Sequence, residues 1–310
     1  MTSPALLFFF LGIVAVRLKS DLEIPKNSAK FISIYLLFSI GFKGGQELAH
    51  SHFDWSLIWA LLFGVLLAAV IPLYTFFILK RKFNTYNASA LAAAYGSVSA
   101  VTFVTSASYL ELRDIHFDGY MVAVMALMEA PSIVVGVILL SFFNKEKKKV
   151  DYGSILKHAF SNGSVLLIMG SLVIGFVASE SQAAGIKPFT TDIFKGFLAI
   201  FLLDMGITSG QKLQNFFNKG WFPVVFAILI PAINGCVVAL ASQWITPDEG
   251  NRFIYAILAA SASYIAVPAA MRLVNPKSSP SLYLPMALGV TFPFNITLGM
   301  PLYMYVIQMY

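Results

Sequence analysis

Ten apolar stretches, most of them about 20 residues long, fill this chain and leave only short polar segments between them. A run of that length matches the hydrocarbon thickness of a bilayer when it is helical. The expected fold is therefore an all-α integral membrane protein. Its spans are read at 2–17, 31–50, 57–79, 88–110, 120–143, 163–179, 190–212, 221–243, 252–272 and 282–309. Composition agrees: 58% of the 310 residues are hydrophobic and 12% are charged, about half the charged fraction of a soluble domain. The net charge of +6 sits in short loops between apolar runs, which suits a membrane surface and gives no reason to invoke nucleic acid. The first run has no basic segment before it, and Arg17 and Lys19 follow where a signal-peptide cleavage site would stand. It reads as a retained span. Cys236, the lone cysteine, lies within an apolar run and builds neither an intramolecular disulfide nor a metal cluster.

Lys and Arg set the orientation. The first, third, fifth, seventh and ninth loops hold Arg17, Lys19, Lys26 and Lys30; Lys80, Arg81 and Lys82; Lys145, Lys147, Lys148, Lys149 and Lys157; Lys212 and Lys219; and Arg272 and Lys277. The even loops hold Arg113, Lys187 and Arg252. Odd loops are expected on the cytoplasmic side. Ten spans then place both termini outside, with the chain in the cell's inner, plasma membrane.

The two halves resemble each other. Residues 37–48 align with 202–213, matching Leu37 with Leu202, Gly41 with Gly206, Gly45 with Gly210, Gln46 with Gln211 and Leu48 with Leu213. Further on, Pro72 corresponds to Pro231, Ser97-Val98-Ser99 to Ser261-Ala262-Ser263, and Pro131 to Pro293, in preserved order. Five spans per repeat force the second copy to enter the membrane from the opposite face. The expectation is two inverted five-helix repeats, 1–144 and 163–310, joined by a basic cytoplasmic linker at 145–162.

Within each repeat one apolar span is interrupted by small polar residues, Gly96 to Ala100 in the fourth and Ser261 to Ser263 in the ninth. Unwound backbone at membrane depth survives only where protein or a wet cavity satisfies it. A matched pair of such interruptions in inverted repeats points to a transporter's binding site near the midplane, where broken helices cross. The half-helix N-termini there offer N–H donors, and serine hydroxyls add more. No Lys or Arg lies within either motif, so the elements suit a small oxyanion held by neutral donors, with a co-bound cation supplying charge. The candidate substrate-binding residues are Gly96, Ser97, Val98, Ser99, Ala100, Ser261, Ala262 and Ser263. The alternative is close helix packing through small residues.

Charges expected at membrane depth are Lys43, Glu47, Glu129, Lys195 and Asp204. Glu129 precedes Pro131, which removes a backbone donor and exposes a carbonyl. It is a candidate Na⁺ ligand, or else a carboxyl bonded to a neighbouring helix. Ser99, Ser263, Thr102 and Asn295 offer neutral oxygens to Na⁺, the last two also being candidates for interhelical hydrogen bonds. Lys43 and Glu47 are four apart and pair locally, and Lys195 reads as snorkelling to the interface. No enzyme motif is present: no histidine is at membrane depth to serve a serine, and no P-loop sequence is found, so no cofactor is expected.

The runs 95–103 (YGSVSAVTF), 119–123 (GYMVA), 128–131 (MEAP), 261–272 (SASYIAVPAAMR) and 288–299 (LGVTFPFNITLG) resemble the sodium-dependent bicarbonate transporter family (SbtA-like) over nearly the whole chain. The resemblance implies bicarbonate import with Na⁺, a core and a gate domain, elevator-like movement and a homotrimer. It places bicarbonate where the two broken segments cross. Members regulated by a PII-like cytoplasmic partner have a much longer linker, and the short lysine-rich one here departs from that pattern. Three rival readings stay open. One is a Na⁺-coupled carrier of another small organic or inorganic anion, walled by Tyr95, Phe103 and Tyr264. The others are a channel, and a membrane sensor or anchor acting through the 145–149 lysines.

Overall fold

The computed structural model describes residues 4–50, 55–144, 163–216, 220–265 and 275–310, with Gly153, Lys157, Val267, Pro268, Ala270 and Met271. Among them there is no β-strand. The helices are α1 (Pro4–Arg17), α2 (Lys26–His50), α3 (Trp55–Lys80), α4 (Thr85–Gly96), α5 (Ala100–Glu111), α6 (Tyr120–Phe143), α7 (Gly163–Val177), α8 (Glu180–Lys187), α9 (Phe194–Phe216), α10 (Trp221–Ala241), α11 (Glu249–Ala260) and α12 (Pro280–Met309). Six runs are long and apolar enough to cross a membrane: Leu57–Lys80, Thr85–Glu111, Tyr120–Phe143, Glu180–Lys212, Trp221–Trp244 and Pro280–Met309. The shorter α1 and α7 are apolar too. The linker expected at 145–162 lies outside the described residues apart from Gly153 and Lys157.

Two packing groups emerge. In the first, α1 lies along α9 and α2 along α7. Glycines let these backbones approach. A Cβ on Gly41 would stand 2.7 Å from the Ile168 carbonyl, and one on Gly12 would stand 2.7 Å from the Ile207 nitrogen. Gly45 meets Leu172, and Gly206 meets Phe9, at still closer range. The glycines matched between the halves of the sequence thus serve the same purpose, close helix crossing. Gln46 adds polar ties from its amide nitrogen to the Gly175 carbonyl and, at 2.9 Å, to that of Ala178.

The second group holds α3, α4, α5, α6, α10, α11 and α12. Its centre is formed by the two interrupted segments. The hydropathy window of Thr85–Glu111 is 94% buried inside the protein, whereas that of α3 is 33% buried. The interrupted helix is therefore sheathed by its neighbours, and α3 faces outward. Alanines at 88, 90, 92, 93 and 94, all buried, make room for that sheath. α11 is buried from Gly250 to Ala260.

Two elements differ from sequence expectation. The segment before the seventh expected span carries its own helix, α8, started by a capping box in which Ser179 and Gln182 bond reciprocally. And α12 contains π-helical stretches at Pro285–Thr291 and Asn295–Gly299, where Pro285, Pro293 and Pro301 each remove a backbone donor from the ladder.

Candidate functional site

Both serine-bearing spans are broken where small polar residues interrupt them. α4 ends at Gly96 and α5 begins at Ala100; between them Ser97 and Ser99 are extended, with φ −86° and −107°. α11 ends at Ala260, Ser261 is extended, and Val267, Pro268, Ala270 and Met271 are helical again. The two breaks meet. The Ser99 N–H donates to Ser261 Oγ at 3.0 Å, and the Ser263 N–H donates to the Ala94 carbonyl at 2.8 Å.

Carbonyls at the ends of the first half-helices take side-chain donors from other helices: those of Ala259 and Ala260, which the helix leaves free, and that of Ala93, which also accepts the Ser97 N–H at 3.0 Å. Ser132 Oγ donates to Ala93 O at 2.8 Å, Asn234 Nδ2 to Ala259 O at 3.1 Å, and Asn295 Nδ2 to Ala260 O at 2.8 Å. Asn295 Oδ1 lies 3.0 Å from the Tyr303 hydroxyl, and Tyr74 donates to Asn234 Oδ1. Each donor stands one to three residues after a helix-interior proline, at Pro131, Pro231 or Pro293.

The four serines have different duties. Ser99 and Ser263 act alike: Ser99 Oγ accepts the Thr102 N–H at 3.2 Å, and Ser263 Oγ accepts the Val267 N–H at 3.3 Å. Ser99 also hydrogen-bonds the Tyr264 side chain, another lining residue of the cavity. Ser261 Oγ accepts from Ser99 and donates to Leu258 O at 2.9 Å, so it is spent on the protein. Ser97 Oγ is buried with no hydrogen-bond partner among the described residues.

A cavity of about 20 Å³ lies at this junction, lined by Val98, Ser99, Ala100, Val101, Val104, Glu129, Ser263, Tyr264 and Ile265 from the second packing group. Ser33, Leu36 and Leu37 of α2, Ser164 of α7 and Phe201 of α9 close it from the first. One water needs about 10–15 Å³, so the closed space is that of one or two waters. No basic side chain lines it. Donors surround it: the Ser99 and Ser263 hydroxyls, and the first N–H groups of α5 at Ala100 and Val101, which have no intrahelical acceptor. Glu129 is the acidic member, 7% exposed, with Oε2 unpartnered among the described residues.

Of the sequence-derived candidates, the cavity gathers Val98, Ser99, Ala100, Glu129 and Ser263. Gly96, Ser97, Thr102, Ser261, Ala262 and Asn295 are buried beside it but do not line it. Gly96 is a packing requirement: a Cβ there would collide with the Pro72 ring and stand 2.5 Å from Ser132 Oγ. Among the aromatic wall candidates, Tyr264 lines the cavity. Tyr95 bonds to Thr291 Oγ1 at 2.8 Å, and Phe103 packs on Phe117. Ser33, Leu36, Leu37, Ser164 and Phe201 have no motif that sequence reading would single out.

The cavity adjoins a cleft of about 1030 Å³ that runs between the starts of α2 and α7, past Lys30, Ser33, Ser164, Asp204 and Tyr264. At the far end of α5 a separate pocket of about 190 Å³ is lined by Lys43, Glu47, Ser108, Glu111 and His116. Lys195, expected to snorkel, is largely exposed and pairs with Glu111 at 3.1 Å. The carboxylate of α5 reaches it because both side chains project from helix ends. Among the described residues no group of three or more His, Cys, Asp or Glu side chains is placed to hold a metal ion.

The family model described as the Na⁺-dependent bicarbonate transporter superfamily matches residues 4–308. No curated protein matches the chain. The chain belongs to that superfamily: it is a multi-pass membrane transporter of a Na⁺-dependent bicarbonate family, not an enzyme.

Proposed function

We propose that this protein imports bicarbonate together with Na⁺ by moving its second packing group, as a core, against the first, as a frame. The observation that carries the reading is the small cavity where two helix-capping serines, Ser99 and Ser263, meet one buried carboxylate and no base. Hydroxyls and helix-start N–H groups suit an oxyanion without consuming the charge that a lysine would fix there. The volume favours a small anion over an organic one, and two of the three aromatics that would wall an organic anion are engaged elsewhere.

Ionised Glu129 and a bound anion repel each other. Two unit charges about 4 Å apart interact by about 4 kcal/mol at an effective dielectric of about 20. A cation beside both removes that cost, which ties anion binding to Na⁺. We assign Na⁺ to oxygens from Glu129, Ser99 and Ser263, a hard-donor set suited to it. Thr102 and Asn295 serve as supports behind them. Each net charge carried inward across 100 mV adds or opposes about 2.3 kcal/mol.

Ten spans in two inverted five-helix repeats underlie the movement in this reading. Its support is the packing of α1 on α9 and of α2 on α7, in which the first span of each half lies on the second span of the other. A two-fold axis produces that pattern. Both termini then lie outside, the cleft between the α2 and α7 starts opens to the cytoplasm, and the frame is the part that joins copies into a trimer in the plasma membrane.

The test is labelled-bicarbonate uptake into proteoliposomes under an imposed Na⁺ gradient. Uptake that Na⁺ fails to stimulate overturns the transport reading. Wild-type uptake by an inserted Ser99→Ala/Ser263→Ala protein overturns the site alone.

A further inference from the structure

Glu129 is the one acidic side chain among the residues lining the cavity, whose other polar side chains are the hydroxyls of Ser33, Ser99, Ser164, Ser263 and Tyr264. The hydroxyl oxygens of Ser99 and Ser263 each accept a helix N–H, which leaves one lone pair for a cation and the hydroxyl hydrogen for an anion. The N–H groups at the start of α5 only donate. Glu129, 93% buried on α6 and facing the same space, presents oxygen; its Oε2 has no donor among the described residues. A carboxylate only accepts. Beside donors that call for acceptors on the ligand, the cavity thus offers a carboxylate, the strongest acceptor in its lining, to a hydrogen.

That arrangement separates anions of equal charge and similar size. Bicarbonate is a planar oxyanion bearing one O–H. Nitrate is a planar oxyanion with none, and in this site it would satisfy the donors while turning a bare oxygen towards the carboxylate. We propose that Glu129 is the specificity-determining acceptor for the hydroxyl hydrogen of bicarbonate, and that it excludes shape-matched anions lacking that hydrogen. The inference rests on bicarbonate as the substrate of this site. It goes beyond Na⁺ ligation, since one carboxylate oxygen can meet the cation while the other meets the hydroxyl. Sites that hydrogen-bond a substrate hydroxyl discriminate by about 10⁴-fold or more against analogues without it. A site ringed by rotatable serines is expected to reach at least about 100-fold.

Binding to the purified full-length protein tests this without relying on transport. Thermal stabilisation is titrated with sodium bicarbonate and with sodium nitrate, at fixed saturating Na⁺ and fixed pH. The wild-type protein is expected to bind nitrate at least about 100-fold more weakly than bicarbonate. Comparable binding of the two, or no binding of bicarbonate, overturns the proposal. Glu129→Gln places an N–H donor where there was only an acceptor. Its bicarbonate affinity should fall and its nitrate affinity should rise at least about 10-fold. A variant whose anion preference is unchanged, with only its Na⁺ requirement altered, assigns Glu129 to the cation alone and overturns the selector role. Should the glutamine variant fail to fold, the wild-type comparison still decides. Loss of Na⁺-driven uptake with the anion preference intact would instead count against the transport reading.

Discussion

Ser99 and Ser263 differ from Ser97 and Ser261 in lining the cavity. Replacing Ser99 or Ser263 by alanine removes a donor from the cavity and should weaken bicarbonate binding by about 1 kcal/mol each, or about fivefold in KM for uptake. Ser97→Ala removes a buried hydroxyl without a partner. Uptake should be unchanged and the thermal midpoint equal or slightly raised. Ser261→Ala leaves the Ser99 N–H without its acceptor and should lower stability by about 1–3 kcal/mol, read as a drop in melting temperature. The sequence repeat marks all four serines equally. Their division into two that line the cavity, one tie and one bystander depends on packing and on hydrogen bonds between residues 162 apart, which spacing along the chain does not encode.

At the scale of elements, the breaks are held open by what surrounds them. Gly96→Ala would drive a methyl group into Pro72 and Ser132. Overpacking of this kind costs about 1–3 kcal/mol, so the variant should melt earlier and lose uptake, while Gly170→Ala, with open space around it, should do neither. Asn295→Ala orphans the Ala260 carbonyl at the end of α11 and should destabilise the fold by about 1–3 kcal/mol, with the Na⁺ dependence of any remaining uptake unchanged. The interrupted spans were legible because glycine and serine stand out in apolar surroundings, and the sixth helix runs over the expected 120–143. The short α8 was not read from the sequence: its residues are polar and none is buried, so no apolar pattern marked it, and the Ser179/Gln182 capping box was the signal that could have. The wall of Leu36, Leu37 and Phe201 was not legible: leucine and phenylalanine are ordinary span residues until packing decides which of them face a cavity.

For the whole molecule, frame and core touch through few polar contacts among the described residues. Two are the Lys195–Glu111 ion pair and the Ser209 hydroxyl donating to Leu288 O at 2.8 Å. The ion pair is half-exposed and contributes up to about 1 kcal/mol. Glu111→Gln should therefore change the rate of uptake by no more than about fivefold, and the difference from wild type should shrink at high ionic strength when followed by initial-rate measurement. Access is checked with a Cys236→Ala/Ser164→Cys protein. A membrane-impermeant thiol reagent should label it from the side of the basic loops, and bicarbonate with Na⁺ should slow that labelling. The bonds that knit the two breaks bear on direction. In the proposed cycle the bonds from Ser99 to Ser261 and from Ser263 to Ala94 hold the donors as one unit, so release does not proceed by the parting of the two segments. Under the proposed movement the grip on bicarbonate travels unchanged from one face of the membrane to the other. Any difference between the affinities for loading outside and unloading inside has to be written into the walls, in what Leu36, Leu37 and Phe201 present at one end of the journey and what replaces them at the other.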